Sequence, residues 1–332
     1  TFLQVDAGEK TLLNIVCGAS NATKYKKIAL AKVGAVLPGD FKIKASKIRG
    51  VESEGMICSE RELGISDEHD QILELDQNLK PGLPLQSIFP GDTVLNVSIT
   101  PNRGDCLSYY GIARDLGAKL GLVVKKPEII DHAKTANIVE KFKVEVQWID
   151  DCARFFALSL SGITNITSPF WLRKRIENSG MRSVNLLVDL TNYVLLEMGQ
   201  PIHAYDSQKL QGNKIHVKQA NQNDTIKTLD GSTIRLEPGD IIICDEKKLV
   251  GLAGIMGGAS SEVDDSTTAI VIEVAQFSAQ KIRRTAKRLN LHTEASQRFE
   301  RGIDIEKIES VAFRCIPSLL KFIKITASIS NQ

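Results

Sequence analysis

The sequence predicts a multidomain α+β protein, and three observations carry that prediction. Its 332 residues exceed what a single hydrophobic core usually organises. The first 88 residues read as short strands broken by glycine and proline. The stretch after residue 140 mixes helical and strand patterns without a regular strand–helix–strand repeat. Apolar content of 42% and charged content of 25% are ordinary for a folded chain, which excludes wholesale disorder.

Residues 1–88 alternate apolar and polar groups in short runs, most clearly in Phe41–Lys42–Ile43–Lys44, where period two places isoleucine and phenylalanine inward and lysine outward. Gly34, Pro38–Gly39, Gly50 and Gly55 break the runs at the spacing of a small barrel. The expectation is a five-stranded OB-type barrel. Charge is sharply segregated here although the whole chain carries only +2. From Asn21 to Gly50 eight basic residues face one acid, Asp40, and from Glu52 to Asp76 nine acids follow. Lys24, Lys26, Lys42, Lys44, Lys47 and Arg49 are therefore candidates for neutralising a nucleic-acid backbone. A solvated strand edge protected by lysine is the competing explanation. Only Phe2, Tyr25 and Phe41 are aromatic in the strand runs, so backbone contact is favoured over base stacking.

Residues 89–130 form a small α/β segment: a strand over Thr93–Ile99, the turn Thr100–Asp105 with Asp105 as N-cap, and a helix over 107–120 stopped by Gly121. Residues 127–140 are polar, lack periodicity and read as a linker, with His132 as a solvated loop residue. The third domain spans 131–325. It opens with alternating Phe142, Val144 and Val146 and continues through a helix begun by Ser168–Pro169 and stopped by Gly180. Strands at 214–219, 225–229 and 240–243 follow, then the glycine-rich GLAGIMGG.

GLAGIMGG lacks the spacing of a phosphate loop or a dinucleotide fingerprint. Gly257 and Gly258 are read as letting a substrate lie against bare backbone. His203 and Asn192 are each open to a structural or a catalytic role, the structural one being commoner for a lone histidine among apolar residues. Glu273 interrupts the strand-forming run Ala269–Val274, and a buried carboxylate must be paired or used. Arg283 and Arg284 belong to a basic helical segment, Lys281 to Leu291, equally suited to solvent and to RNA. Six isolated cysteines without a CxxC pair argue against structural zinc and a disulfide framework, which fits reduced thiols in the cytoplasm. No apolar run approaches membrane-spanning length, and no signal-peptide pattern is present. The chain starts at Thr1 as if inside a fold, so a piece of a longer protein is expected.

Motifs then point to a family. NIVCGASNATKYKKIALAKVGAVLPGDFKIKASKIRGVESEGMICSERELG resembles the tRNA-binding OB domain of several aminoacyl-tRNA synthetases. TPNRGDCLS, SPFWLRKRIENSGMRSVNLLVDLTNYVLLEMGQPIHAYD, GLAGIMGGASSEVDDSTTAIVIEVAQF and IRRTAKRLNLHTEASQRFERGID together resemble the bacterial phenylalanyl-tRNA synthetase beta subunit, the last three its B3/B4 editing module. The resemblance implies hydrolysis of tyrosine wrongly esterified to tRNA(Phe). It places His203 and Asn192 on the adenosine and water side, Gly257 at a backbone approach, Glu273 on the tyrosine hydroxyl, and Thr293 with Ala295 in the amino-acid pocket. Tyr205 replaces the phenylalanine usual in that motif, a change expected to leave the site intact. Water held by His203, backbone donors near Gly257 and the terminal tRNA hydroxyl would suffice for hydrolysis, without metal or covalent intermediate. Expected partners are tRNA(Phe) and the alpha subunit, with no membrane. No cofactor is implied for this piece, ATP and Mg serving only the full synthetase. The rival reading is a non-catalytic RNA-binding or assembly module that keeps the editing fold.

Overall fold

A computed structural model describes residues 1–89, 91–129, 142–320 and 326–331. They form two compact units, Thr1–Thr93 and Val94–Gln332. None of the six cysteines is in a disulfide. Among the described residues no helix is long and apolar enough to cross a membrane.

The first unit is built from short antiparallel pairings: Phe2–Val5 with Leu13–Val16, Lys27–Ile28 with Glu74–Leu75, Leu30–Lys32 with Gly55–Ile57, Val36–Leu37 with Phe41–Lys42, and Ser46–Ile48 with Val51–Ser53. These five ladders stay separate two-stranded sheets among the described residues, so the closed barrel expected from the sequence is not what the hydrogen bonding draws. The reason is local. Asp40 and Arg49 join Gly34, Gly39 and Gly50 at positive φ, so the chain turns every few residues and no strand grows long. Two small cores hold the unit, one around Ile15, Ile57 and Ile72 and one around Ala29, Ile43 and Leu73. Ile43 is buried as the alternation predicts, whereas Phe41 stands exposed.

From Val94 onward the segment at 89–130 belongs to the second unit. Among the described residues, 93–99 form no strand, contrary to the expectation for Thr93–Ile99. The carbonyl of Ile99 instead accepts from Arg301 Nη1 at 3.0 Å. The helix here is α1 (Tyr109–Leu120), ended by Gly121 at φ 66°. Its N-cap is Ser108, whose hydroxyl accepts from the Gly111 amide. Asp105 sits one turn earlier and is held by Arg103, so it does not cap. From residue 130 onward the expected linker, with His132, lies outside the described residues.

The remaining elements of the second unit run as follows: β1 (Lys143–Val146), β2 (Cys152–Ser161), α2 (Phe170–Asn178), α3 (Leu186–Met198), β3 (Ile202–Asp206) and β4 (Lys214–Gln219). After a small hairpin at 225–235 come β5 (Ile241–Cys244), β6 (Leu249–Leu252), β7 (Met256–Gly257) and β8 (Ala269–Phe277). The chain continues with α4 (Ala279–Leu289), α5 (Glu294–Arg301), α6 (Ile308–Leu320) and β9 (Thr326–Asn331). One sheet has the order β3–β8–β2–β9 and is antiparallel throughout. The other has the order β1–β4–β5–β6–β7, parallel only between β1 and β4. Helices and strands alternate irregularly, so the unit is α+β as predicted.

Strand β8 explains the layering. Its sequence AIVIEVAQF is rich in β-branched and apolar residues and is buried on both sides, as a central strand should be. Ile270, Ile272 and Val274 face a core completed by α2, α3 and α6. Val271, Ala275 and Phe277 face a second core shared with the five-stranded sheet, α4 and α5. Glu273 belongs by pleat to this second row.

Candidate functional site

Antiparallel register brings the sequence candidates together. His203 on β3 pairs with Glu273 on β8, and Ala157 on β2 pairs with Glu273 from the other side. Directly opposed residues share a face, so imidazole and carboxylate stand side by side. Tyr205 lies two residues along β3 from His203 and projects from the same face. Its hydroxyl donates to Glu273 Oε2. Tyr205 is 1% exposed and Glu273 6%, so this bond lies in the core, and Glu273 Oε1 has no hydrogen-bond partner among the described residues.

Burial sets the electrostatics. Desolvation pushes the Glu273 carboxyl up to about 7, while the Tyr205 hydroxyl pulls it back down. Desolvation first, and then the neighbouring carboxylate, push the Tyr205 hydroxyl well above its usual range, so it stays a neutral donor. His203 meets the Tyr205 ring edge-on, with centroids 4.5 Å apart and planes at 77°. Its Nε2 is buried without a partner, alone in this among side-chain nitrogens and oxygens of the described residues. Burial pushes the His203 pKa down to about 4, so the ring is neutral at pH 7.

The glycine-rich stretch is the β6–β7 hairpin, and its glycines answer separate needs. A Cβ on Gly257 would lie 2.4 Å from His203 Cε1 and 2.6 Å from its Nε2. The imidazole thus packs against the bare backbone at Gly257. A Cβ on Gly258 would lie 2.8 Å from the Val250 carbonyl oxygen, to which the Gly258 amide donates at 2.8 Å. Gly258 serves the hairpin itself.

Thr293 caps α5: its hydroxyl accepts from the Ser296 amide at 3.0 Å and donates to the Ile255 carbonyl at 3.0 Å. The Ser296 hydroxyl completes a capping box by accepting from the Thr293 amide. One hydroxyl thus starts a helix and fastens it to the hairpin under His203. Thr293→Ala is expected to lower stability by about 1–2 kcal/mol. A denaturant midpoint would show the loss, and Thr293→Ser should recover most of it. Ala295 is partly buried against the core shared by the two sheets. Asn192 lies half-buried on α3, and no hydrogen bond joins it to His203 or Glu273 among the described residues.

The basic candidates divide. Lys24, Lys42, Lys44, Lys47 and Arg49 are exposed, whereas Lys26 is held by Glu74. On α4, Arg283 and Arg284 are exposed. Their neighbours Lys281 and Arg288 are bound to Asp151 and Asp240 and fasten the helix to the unit.

Sequence reading expects the tyrosine at 205 to leave the site intact and gives it no role of its own, whereas its hydroxyl holds the central carboxylate. The signal was available in His203-Ala204-Tyr205, a spacing of two on a strand that puts both side chains on one face.

Comparison with known proteins matches this arrangement to named domains. A family model described as "B3/4 domain" matches residues 151–324, and one described as "Putative tRNA binding domain" matches residues 1–84. The phenylalanine–tRNA ligase beta subunit of Geobacter sulfurreducens is 49% identical over 297 residues, covering 89% of this chain and 37% of that protein. That of Francisella tularensis subsp. tularensis is 42% identical over 323 residues, covering 94% of this chain and 40% of that protein. The chain thus spans well under half the length of these relatives. An N-terminal fragment of the phenylalanyl-tRNA synthetase beta-subunit from Pyrococcus horikoshii aligns over 70% of this chain and 61% of its own. Its TM-score is 0.39 at 14% identity, too slight a likeness to bear on the fold. On the family match and the identity of its relatives, the chain belongs to the phenylalanine–tRNA ligase beta subunit family, of which it carries the tRNA-binding and B3/4 domains.

Proposed function

We propose that this chain edits: it hydrolyses the ester of tyrosine wrongly attached to tRNA(Phe) and spares phenylalanine. The observation that carries the reading is the row His203, Tyr205 and Glu273 on one sheet face, with His203 Nε2 unpartnered and Glu273 Oε1 free. Tyrosine and phenylalanine differ by one hydroxyl, and an apolar synthetic pocket rejects an added hydroxyl by only about a hundredfold. A second site that accepts a hydrogen bond from that hydroxyl inverts the preference. A charged carboxylate acceptor contributes about 1.5–3 kcal/mol, and phenylalanine would leave it buried and unmet.

For hydrolysis, the neutral imidazole of His203 would orient or deprotonate a water beside the ester carbonyl. Asn192 and Ala295 would complete the adenosine side and the amino-acid pocket. The exposed lysines of the first unit and Arg283 and Arg284 would neutralise tRNA phosphates. In the whole ligase the alpha subunit would be the partner that charges the tRNA, in the cytoplasm. ATP and Mg would belong to that charging step and not to this chain.

The test is to incubate the chain with Tyr-tRNA(Phe) and with Phe-tRNA(Phe) and follow deacylation. Tyrosine should be released at least about tenfold faster than phenylalanine. Equal loss of both amino acids would sink the reading. Binding of RNA without any hydrolysis would favour a non-catalytic RNA-binding module.

A further inference from the structure

We propose that Tyr205 determines the specificity of this site, because its hydroxyl holds one oxygen of Glu273 and leaves the other as the single acceptor offered to a ligand hydroxyl. The inference rests on the editing reading and deepens it. The geometry begins with the sheet. Tyr205 is diagonal to Glu273 across the β3–β8 ladder, a separation that an aromatic side chain spans. The bond it makes leads to Oε2 alone. The facing strand β6 lies close to this hydroxyl, since a Cβ on Gly251 would come into ordinary contact with it at 3.4 Å.

A carboxylate with two free oxygens can rotate and can take a proton on either. Held at Oε2 by a donor that stays neutral, Glu273 keeps one orientation and one open acceptor. A ligand phenol at Oε1 would then share the carboxylate with the protein's own phenol. A ligand lacking a hydroxyl would leave Oε1 bare, which is where discrimination arises.

The same bond sets when the carboxylate is charged. Removing the donor leaves Glu273 with burial alone, which favours the protonated acid. The other titratable groups near the pair are His203, Cys152 on β2 and Cys244 on β5. His203 is neutral above about pH 4, and burial raises both thiols, so none of them takes or gives up charge between pH 6 and 8. A titration in that window therefore belongs to Glu273.

The experiment uses Tyr205→Phe, which removes one buried oxygen atom and keeps the ring. The Glu273 carboxyl is followed by 13C NMR of the glutamate-labelled chain, its signal assigned by disappearance in Glu273→Gln. Near-neutral titration in the unaltered chain, moved up by about one pH unit in Tyr205→Phe, is expected. At pH 7 that shift leaves about fivefold less ionised carboxylate, and the tyrosine-over-phenylalanine deacylation ratio should fall by the same factor. An unmoved titration with an unmoved ratio would overturn the proposal. Equal deacylation of both esters by the unaltered chain would overturn the editing reading and the ligand half of this proposal, while the titration still decides whether Tyr205 governs Glu273.

Discussion

Glu273→Gln is expected to make the protein more stable and less discriminating at once. The carboxyl titrates near 7 in the folded chain against an ordinary 4.5, because burial disfavours its charge. Its folded pKa is thus raised, so the native state binds the proton more tightly than the unfolded chain. Stability from this group is fully present below about pH 4.5 and is lost as pH rises through about 7. The rise from 4.5 to about 7, at about 1.4 kcal/mol per pH unit, gives a penalty of about 3–4 kcal/mol above pH 7. Glutamine is nearly isosteric, carries no charge and can still accept from the Tyr205 hydroxyl through its carbonyl oxygen. Denaturant unfolding at pH 8.5 should show most of that gain, and at pH 4 almost none. A gain independent of pH would mean that the carboxylate charge is not what burial penalises. On the functional side the variant loses the charge-assisted acceptor. The tyrosine preference in deacylation should drop by about 10- to 150-fold, the equivalent of 1.5–3 kcal/mol.

Gly257→Ala is expected to slow deacylation by about a hundredfold while leaving most of the fold intact. The new methyl would meet the imidazole at 2.4 and 2.6 Å and Leu229 Cδ1 at 3.2 Å. Leu229 is 39% exposed and can swing outward. His203 cannot yield as easily, since the Tyr205 ring stands against it at 4.5 Å. The ring must therefore leave the position it now holds beside Glu273, and a displacement of about 1 Å is enough to cost two orders of magnitude in a positioned hydrolysis. Overpacking should cost about 1–3 kcal/mol of stability, well short of unfolding the unit. Single-turnover deacylation of Tyr-tRNA(Phe), read beside a thermal melt, separates the two effects. An unaltered rate would show that the place of His203 is immaterial to the chemistry.

How much was legible beforehand follows from which interactions are local. The run Ala269–Val274 announces a buried strand with one misplaced acid, and Gly121 and Gly180 announce helix ends, because these depend on neighbours in sequence. The pairing of His203 with Glu273 joins residues 70 positions apart, and no spacing within either strand reveals it. Register between distant strands is decided by the whole core. Thr293 acts on both scales: its cap on α5 is a local contact, but its hold on Ile255 is a tertiary one. In the first unit the turns at Asp40 and Arg49 place residues other than glycine at positive φ, which composition does not betray, so the strands are shorter than the alternation promised.

The pleat of β8 has one more consequence, for how the site can change over time. The proposed recognition is stored as parity: Glu273 occupies an odd place in a strand whose odd and even places serve different cores. Substitution within the strand alters one contact. Loss or gain of a single residue would exchange the two sets, turning the carboxylate toward the helices and bringing Ile272 or Val274 to the side where Tyr205 waits. Length variation is thus far more damaging inside β8 than residue replacement, and drift is better tolerated in the turn before it, where Asp265 and Ser266 are exposed.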